Sequence, residues 1–426
     1  MKKKNIILII LLISFFIFFY NLDIVRSKVK QYLPLKTKTL IKEFVLGKEK
    51  TKRSRELQEY GKMNYNQKVL PEVEFTNMYL KEVLLDDLKS ISVKFFMEQF
   101  SDDLIIIDHK GKIFFINKQF ITDSEVLNWT KVSTNLNSNN VRIKDVLVLK
   151  DKIYISYMEL DSETKKCNAI NISKAKISKK ELNFEIFFTS KECIGFNAGR
   201  MVSYNHNDKE GLLLTTSAQC SVNKLAQDDN SIMGKILFID FETSNYIIFS
   251  KGHRNPQGLT TVKNLILSAE HGPTGGDEIN LIQFGKNYGW PISSYGETDN
   301  SCPIKSSKIY EYFKNHSEYG FIEPIYAFVP SIGINQIIKV PDNFSEYWQN
   351  NFLVTSLGGK TIYRILFDKN FEKLIYHEKI FIGKRMRDII YSDELNVFLI
   401  ALEGGGSYVT GQRSYPSIGI LSNKLQ

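Results

Sequence analysis

The sequence has little cysteine, and its cysteines are not spaced for metal binding. Four occur in 426 residues, Cys167, Cys193, Cys220 and Cys302, and none forms a C-x-x-C pair or a zinc-binding spacing. The pattern therefore gives no support to a zinc site or a C-x-x-C redox motif. An even number of cysteines allows disulfides in an exported protein, and Cys167 and Cys193 flank a predicted hairpin, so we expect these two to pair. In a cytosolic protein the four would instead be buried thiols.

An excess of positive charge is missing from most of the chain. The whole sequence has a net charge of +9, but residues 69–426 carry 40 Lys/Arg and 42 Asp/Glu, a net charge of −2. A nucleic-acid groove needs clustered basic residues, and nothing in this near-neutral part predicts one. We therefore expect no nucleic-acid partner.

The first residues lack a signal-peptide cleavage site. Lysines at positions 2–4 precede an apolar run from Ile6 to Tyr20, and with the following NLDIV the stretch approaches the ~20 residues that span a bilayer. No small-residue motif of the A-x-A type follows, so we predict an uncleaved signal-anchor helix over residues 1–25. The lysines should stay in the cytoplasm. This predicts an inner-membrane anchor with the body of the protein in the periplasm or outside the cell.

Residues 26–70 are predicted to be a basic, membrane-proximal tether. Residues 26–68 carry 13 Lys/Arg against four Glu. Such a stretch beside a membrane either contacts anionic lipid headgroups or is simply a solvated tether. Its segment IKEFVLGKEKTKRSRELQEY is the clearest helical candidate in this part of the chain, so we expect the tether to be partly helical.

Helical periodicity is scarce beyond residue 70. Residues 71–426 show short apolar or alternating runs broken by turn residues, such as LIIID-HKGK-IFFIN and KILFIDF-ETSN-YIIFS. Ile, Val, Phe, Tyr and Thr dominate these runs, as is typical of strands. About 350 residues of this kind exceed an ordinary sandwich, whereas a β-propeller closes its sheets radially and scales to this size. We predict an all-β, six-bladed β-propeller, although no WD or kelch repeat sets the number of blades.

Two polar turns flank a short apolar run between residues 252 and 282. The first, GHRNPQGL, contains Arg254, a permanent cation with a planar fork of donors. Asn255 and Gln257 add amide donors and acceptors, and Pro256 stiffens the turn. This combination would suit an anionic ligand rich in carbonyl groups.

The second turn, EHGPTGGDEINLI, would suit a cation. Its three glycines permit unusual dihedral angles and a close approach of the backbone. Exposed carbonyls near Gly272 and Pro273, with Asp277 and Glu278 close by, are ligands that a hard cation such as calcium prefers. The alternative is that both turns are ordinary polar turns that cap blade edges.

Three motifs together resemble a known family. GHRNPQGL, EHGPTGGDEINLI and GKNYGWPISSYG, in this order and spacing, resemble the glucose/sorbosone dehydrogenase family. These are quinoprotein aldose dehydrogenases, six-bladed β-propellers that use pyrroloquinoline quinone (PQQ) and calcium. The likeness is dense from Gly252 to Gly296 and continues more loosely through EPIYAFVPSIG, NNFLVTSLGGKTIYRI and GKRMRDII. It covers most of residues 95–425.

The resemblance implies two groups of ligand residues. The cofactor-binding group comprises Arg254, Asn255, Gln257, Asp277, Lys360, Arg385 and Arg387. The metal-binding group comprises Gly272, Pro273, Glu278 and Tyr288. In the first group, Arg254 would polarise the carbonyl that accepts hydride, and Arg385 and Arg387 would clamp the cofactor carboxylates. In the second, the Gly272 and Pro273 carbonyls would bind the calcium at the cofactor, and Glu278 with the Tyr288 backbone would bind a structural calcium.

The position of the general base departs from the family. The family places a His, which takes the hydroxyl proton, in a motif H-x-x-G-R. The matching stretch here is FNAGR, so Phe196 stands at that position, and a phenyl ring cannot accept a proton. His206 follows ten residues later and is expected to be too far away, while His271 is ordinary for the family and is not counted as a replacement. Gly358 also stands where the family commonly has Lys, two residues before Lys360.

Three interpretations of function follow. The first is a membrane-anchored, PQQ-dependent dehydrogenase that oxidises an aldose and passes electrons to a respiratory acceptor, with Arg254 as its catalytic residue. The second is a propeller of the same fold that has lost catalysis and binds a saccharide, calcium or a protein partner, as Phe196 and Gly358 suggest. The third is a structural propeller with no small ligand, in which Tyr288 and Trp290 are core and Arg385 and Arg387 a solvated edge.

Overall fold

The computed structural model of the chain describes residues 79–85, 91–119, 121, 129–193, 197–273, 275–296, 315–406 and 413–423. The predicted signal anchor and tether, residues 1–70, lie outside these ranges. Within them, no helix is both long enough and apolar enough to cross a membrane.

Short strands make up almost all of the regular structure. Up to residue 251 they are β1 (Tyr79–Leu84), β2 (Phe95–Phe100), β3 (Asp103–Asp108), β4 (Ile113–Asn117), β5 (Trp129–Thr134), β6 (Val141–Leu149), β7 (Lys152–Leu160), β8 (Cys167–Lys176), β9 (Glu181–Leu182), β10 (Glu185–Ser190), β11 (Met201–His206), β12 (Lys209–Thr215), β13 (Lys235–Asp240) and β14 (Tyr246–Lys251). After residue 251 they are β15 (Pro256–Val262), β16 (Leu265–Glu270), β17 (Asp277–Ile282), β18 (Tyr326–Phe328), β19 (Ile334–Lys339), β20 (Asn351–Ser356), β21 (Thr361–Phe367), β22 (Leu374–Phe381), β23 (Met386–Ser392), β24 (Val397–Leu402), β25 (Gly405–Gly406), β26 (Arg413–Ser414) and β27 (Ser417–Ser422). The described ranges also contain three short 3₁₀ helices, Cys220–Gln227, His316–Tyr319 and Glu346–Trp348.

Six sheets of the described residues form the blades of a propeller. From the inside outwards they are β2-β3-β4-β5 with β9, β6-β7-β8-β10, β11-β12-β13-β14, β15-β16-β17-β18, β19-β20-β21-β22 and β23-β24-β27-β1, numbered blades 1 to 6. The outermost strand of blade 6 is β1, which pairs with β27 from the other end of the chain. The propeller is thereby closed by pairing the two ends of its own sequence. The predicted all-β, six-bladed propeller is confirmed.

Apolar faces between neighbouring blades form the core. Strands β3, β13, β20 and β24 are buried along their whole length. Ile105 and Ile107 of blade 1, for example, pack with Val146, Ile153 and Ile155 of blade 2. Each blade thus buries both faces against its neighbours, which explains the runs of Ile, Val and Phe without strict alternation.

The six inner strands form a ring around the propeller axis. Each of β2, β6, β11, β15, β19 and β23 contacts the next, and β23 contacts β2 again. The close approach needs small residues, since a Cβ added to Gly258 on β15 would lie 2.3 Å from the Asn335 carbonyl oxygen on β19.

One face of the propeller collects the loops that carry the predicted site. Pro256, the first residue of β15, pairs with Glu270, the last residue of β16. The turn before an inner strand and the loop after the second strand of its blade therefore lie on the same face, here called the site face. The same strand order in the other blades brings residues 197–200, 357–360 and 383–387 to this face.

A disulfide supports one edge of this face. Cys167, the first residue of β8, is bonded to Cys193, with their Cα atoms 5.9 Å apart, as the sequence predicted. Cys193 precedes Asn197, whose backbone N–H donates to the Ser217 hydroxyl at 2.8 Å. Cys220 is also disulfide-bonded.

Candidate functional site

The two predicted turns meet around one small cavity. Its volume is about 10 Å³, enough for a single water molecule or ion. The lining residues come from blades 3 and 4 and the segment after β17: Gly252, Arg254, Glu270, His271, Gly272, Pro273, Glu278, Tyr288, Trp290, Ser293, Ser294 and His316. Arg254 and all four residues predicted to bind metal therefore share one cavity.

Arg254 is held rigidly beside this cavity. Its Nη1 donates to the His271 carbonyl oxygen at 3.1 Å, and its guanidinium lies over the Trp290 ring, 5.4 Å from the centroid. Its backbone N–H donates to the Glu270 carboxylate. Because the ring and the carbonyl already fix this cation, it has little conformational freedom left to lose when it binds a ligand. It is therefore preorganised to bind an anionic or carbonyl oxygen.

A buried relay that the sequence analysis missed holds the Arg254 turn. His253 Nδ1 lies 2.9 Å from Glu270 Oε2, and its Nε2 lies 2.8 Å from the Ser250 hydroxyl. The His253 ring also stacks on Tyr288, with centroids 4.8 Å apart. His253 lies within the quoted motif GHRNPQGL, but only the fold reveals its partner Glu270, which caps the Arg254 turn.

Asn255 and Gln257 form a linked pair on the axis side of the same turn. Gln257 Nε2 donates to Asn255 Oδ1 and to the Asn197 carbonyl, both at 2.9 Å. The Gln257 carbonyl accepts from Arg200 Nε at 2.7 Å. The Gln257 side chain is thus oriented by Asn197, which leads into blade 3, and in turn orients the Asn255 side chain. Asn255 and Gln257 adjoin Arg254 in the chain but do not line the cavity, and their predicted role in cofactor binding stays a prediction.

Asp277 supports the Gly272 loop. Its Oδ1 accepts from the Gly272 N–H at 3.1 Å and the Ser331 hydroxyl at 2.6 Å. Its Oδ2 accepts from the Ile332 and Ile334 N–H groups at 3.0 and 2.9 Å. Four hydrogen bonds occupy the lone pairs of this buried carboxylate. The observed contacts of Asp277 therefore fix the loop to blade 5.

Glu278 and Tyr288 line the cavity, together with a histidine that the sequence analysis missed. Glu278 Oε1 lies 3.2 Å from His316 Nε2, and His316 Nδ1 lies 2.5 Å from the Ser293 hydroxyl. Burial lowers the pKa of His316, but the Glu278 carboxylate outweighs it, so the pKa lies above its usual value. Tyr288 donates its hydroxyl to the Leu281 carbonyl at 2.6 Å.

The donor set of the cavity consists mainly of oxygen atoms. Within the residues that the structure describes, no group of three or more His, Cys, Asp or Glu is arranged to hold a metal ion. A cation in this cavity would therefore depend on backbone carbonyls as well as on Glu278, which is a donor set typical of calcium.

Arg385 and Arg387 are joined by a carboxylate that no motif indicated. Arg387 donates through Nε at 2.7 Å and Nη2 at 2.5 Å to one oxygen of Glu403, and Arg385 Nε donates to the other at 2.7 Å. Burial would raise the pKa of Glu403, but the two guanidinium groups lower it below its usual value. Glu403 is thus ionised at neutral pH and orients both arginines at the site face.

Arg200, the last residue of the FNAGR stretch, ties four blades together beneath the site face. Its Nη1 donates to Asp145 at 2.8 Å and Asp388 at 3.0 Å. Its Nη2 donates to the Arg387 carbonyl at 2.6 Å, and its Nε reaches Gln257. One buried guanidinium therefore fixes the strands that carry Arg387 and Gln257.

Lys360 lies on the site face but apart from the cavity. It is exposed in the loop between β20 and β21, its φ is 53°, and it does not line the cavity. Its carbonyl accepts from the Ile382 and Gly383 N–H groups at 3.0 Å. Its observed contacts hold the segment that leads to Arg385.

Of the two histidines considered as replacements for the missing base, His206 lies far from the site face and His271 lines the cavity. Phe196 lies outside the described residues. His206 ends β11, six residues from the site face, or ~20 Å along a strand, and its ring packs on Phe249 and Phe284. His271 is buried, its Nε2 has no hydrogen-bond partner among the described residues, and burial lowers its pKa.

Comparison with known proteins gives relatives in several bacteria. "Aldose sugar dehydrogenase YliI" of Escherichia coli is 25% identical over 276 residues, covering 60% of this chain and 71% of that protein. "Uncharacterized protein slr1608" of Synechocystis is 30% identical over 162 residues, which is 37% of each chain. The chain thus spans well under half of the length of this second relative.

The fold is shared with solved structures of similar size. The PQQ-bound form of aldose sugar dehydrogenase from Streptomyces coelicolor superposes with a TM-score of 0.58 at 17% identity, covering 83% of this chain and 99% of that one. At this identity the likeness establishes the fold alone.

The family assignment comes from the sequence as a whole. Residues 92–409, which include the whole ring of inner strands and every residue of the candidate site, match the family described as Glucose / Sorbosone dehydrogenase. The chain therefore belongs to the glucose/sorbosone dehydrogenase family.

Proposed function

We propose that the protein is a PQQ-dependent aldose dehydrogenase that transfers hydride from a sugar hydroxyl to the quinone. The observation that supports this most is the convergence of Arg254 with the Gly272–Pro273 backbone on one cavity. Family membership and a relative with PQQ bound point the same way.

The residues present fit both groups by their chemistry. The cavity offers carbonyl and carboxylate oxygens in a volume suited to one ion, and the buried His271 Nε2 without a partner marks a polar atom that a ligand could satisfy. Gly272, Pro273, Glu278 and Tyr288 would hold calcium. The cavity is too small for a quinone, which would bind across the site face.

Five side chains would hold the quinone: Arg254, Asn255, Gln257, Arg385 and Arg387. When bound, PQQ supplies the hydride acceptor and calcium a Lewis acid. Arg254 would donate to a carbonyl oxygen of the quinone and stabilise negative charge there. Arg385 and Arg387, oriented by Glu403, would bind its carboxylates through charge-assisted hydrogen bonds.

The location of the protein is part of the proposal. We infer a membrane-anchored protein with its propeller in the periplasm or outside the cell, which delivers electrons from the sugar to a respiratory acceptor. The apolar N-terminal run behind three lysines supports the anchor. The Cys167–Cys193 disulfide supports an oxidising compartment. Fractionation of the producing cell, followed by detection of the protein, tests this part.

Dye-linked sugar oxidation tests the activity. The full chain, loaded with PQQ and calcium, should reduce an artificial acceptor when glucose or another aldose is added. Absence of turnover with a panel of aldoses, in protein that has bound the quinone, would contradict the dehydrogenase and favour the alternative below.

The alternative is a propeller of the same family whose catalysis is impaired and which binds a saccharide, calcium or a protein partner. The substitution of Phe196 for the expected base favours it, since loss of a general base typically costs ~10²–10⁴ in rate. Phe196→His separates the two proposals. A gain in turnover would support the impaired site, and no gain in a folded, quinone-loaded variant would count against Phe196 as the base position.

A further inference from the structure

Exposed hydrophobic side chains recur at the end of the propeller opposite the site face, here called the far face. Neighbouring strands of each blade are antiparallel, so the outermost strand of every blade begins at the far face. In five of the six blades an exposed large hydrophobic residue stands first or second in that strand: Tyr79 and Leu80 on β1, Trp129 on β5, Ile186 on β10, Tyr246 and Ile247 on β14, and Ile375 on β22. Single exposed hydrophobics are ordinary on a protein surface, but their repetition at one structural position is not.

Two further rings complete the set. In blade 4, Phe284 follows the far-face end of β17 and is 53% exposed. Its ring lies 4.6 Å, centroid to centroid, from that of His206, the last residue of β11. In blade 5, Tyr347 is 80% exposed in the 3₁₀ helix that precedes β20. All six blades therefore place at least one exposed large hydrophobic side chain at the far face.

The distribution of these nine side chains favours a broad, flat partner. A protein partner usually buries an apolar core that is clustered near the centre of one patch, whereas these side chains come from every blade around the circumference. Four of the nine are tyrosine or tryptophan, which combine an apolar ring with a polar group and are enriched at membrane–water interfaces. A bilayer surface meets both conditions.

The chain also joins the propeller at the far face. Tyr79, the first residue of β1, pairs with Ser422 at the far-face end of β27. The predicted anchor and tether, residues 1–70, precede this point in the sequence. A membrane that holds the chain by its first residues is therefore linked to the propeller through the face that carries the nine side chains.

We propose that the far face docks on the surface of a lipid bilayer. The nine side chains would enter the boundary between lipid headgroups and acyl chains, where apolar area is buried. The site face then points away from the bilayer and stays open to solutes. This inference rests on the proposed membrane location and not on the quinone chemistry.

Position-specific fluorescence quenching tests the docking. The full chain is bound to phosphatidylcholine vesicles that contain a lipid with a nitroxide on its headgroup, and it carries a fluorophore on a cysteine introduced at one face. Tyr347→Cys and Phe381→Cys are a matched pair, because both residues lie in blade 5 and are 80% and 76% exposed, but Phe381 ends β22 at the site face. No cysteine in the part of the chain that the structure describes is free to take the dye. The lipid should quench the dye in Tyr347→Cys and leave the dye in Phe381→Cys unquenched.

A charge substitution separates docking by hydrophobic contact from a mere effect of the tether. Ile186→Glu combined with Ile375→Glu, in the Tyr347→Cys protein, should lower the ratio of docked to undocked protein about tenfold or more, because burial of one such side chain is worth about that factor. Phe381→Glu combined with Tyr415→Glu places the same two charges at the site face and should leave the quenching unchanged. All four residues are exposed, and each variant is first checked for unaltered thermal unfolding.

Equal quenching at the two faces would overturn the proposal, and so would quenching that Ile186→Glu with Ile375→Glu does not change. A chain that binds no vesicles would overturn both the docking and the proposed anchor, whereas a chain that binds vesicles with equal quenching at both faces would overturn the docking alone. Protection of the Tyr347→Cys dye from aqueous iodide without quenching by the lipid, together with cross-linked dimers, would overturn it in favour of a second copy of the chain on this face. The measurement needs no PQQ, so a protein that binds no quinone can still show the docking, and an active dehydrogenase can fail to show it.

Discussion

Replacing Arg254 should weaken quinone binding, and replacing a second arginine, Arg364, provides the matched control for lost stability. Arg254 lies over Trp290 at 5.4 Å, and Arg364 in blade 5 lies over Trp348 at 4.9 Å. Both arginines are buried. Arg364 is bonded to the Glu378 carboxylate at 2.5 Å and to Asn351 at the first residue of β20, at the opposite end from the site face.

The structure sets the magnitudes. Arg364→Met leaves the buried Glu378 without this partner, which should cost about 3–5 kcal/mol. Arg254→Met removes a hydrogen bond to a carbonyl and a cation–π contact, which together should cost about 1–4 kcal/mol. A charge-assisted contact to the quinone is worth about 1.5–3 kcal/mol, so Arg254→Met should weaken PQQ binding about 10- to 150-fold. Arg364→Met should leave the affinity of the folded protein unchanged.

The assays are thermal unfolding by circular dichroism without ligand and absorbance titration with PQQ in the presence of calcium. The reasoning predicts opposite rankings: Arg364→Met is the less stable variant and Arg254→Met the weaker binder. Unchanged PQQ affinity in Arg254→Met would refute the assigned role of Arg254. Equal losses of affinity in both variants would show that the effect arises from lost stability.

Three further predictions concern stability. Glu403→Gln should lower the unfolding temperature, because Arg387 loses its buried carboxylate partner, which costs about 3 kcal/mol of unfolding free energy. Glu403→Asp keeps a carboxylate and should lower the unfolding temperature less. Equal unfolding curves for Glu403→Gln and the unaltered protein would contradict this. The pKa of Glu98 rises from 4.5 to about 8 in the folded protein, so the stability that its protonated form contributes is complete below pH 4.5 and is lost as the pH rises through 8. Glu98→Gln does not titrate, so its unfolding temperature, relative to that of the unaltered protein, should increase between pH 5 and pH 8. A difference that stays constant over this range would disprove the raised pKa. Gly258→Ala should destabilise the ring by about 1–3 kcal/mol, since the new Cβ would lie 2.3 Å from the Asn335 carbonyl; Gly285→Ala, where a Cβ meets no atom within 4 Å, reports the cost of its positive φ alone.

The fold was predictable because every blade repeats the same local signal. Runs such as LIIID and KILFID are strands β3 and β13, and their number and size require a radially closed architecture. The sequence did not show that β1 completes blade 6. That pairing joins Tyr79 to Ser422, and no local pattern carries information about a partner so far away.

The candidate site was predictable where its residues lie in one stretch of sequence. Arg254, Gly272, Pro273, Glu278 and Tyr288 all fall within 35 consecutive residues of the densest motif block, and they share one cavity. This proximity follows from two turns of a single blade and a short segment after it. Residues that are close in the sequence are also close in space there, because the connections between the elements are short.

The supporting residues were missed because their partners come from other blades. Arg200 binds carboxylates that lie 55 and 188 residues away. Glu403 likewise meets Arg387 only because β23 and β24 are neighbours in blade 6. Such pairs depend on closure of the ring, so a single sequence contains the residues but not their pairing.

The most direct test of the central claim is an absorbance titration of the full chain with PQQ and calcium, followed by addition of glucose. The account predicts saturable, calcium-dependent binding of one quinone per chain, binding that is about 10- to 150-fold weaker in Arg254→Met, and bleaching of the quinone absorbance on addition of the sugar. Absence of quinone binding in folded, calcium-loaded protein would contradict the claim that Arg254 and the Gly272–Pro273 backbone form a cofactor site.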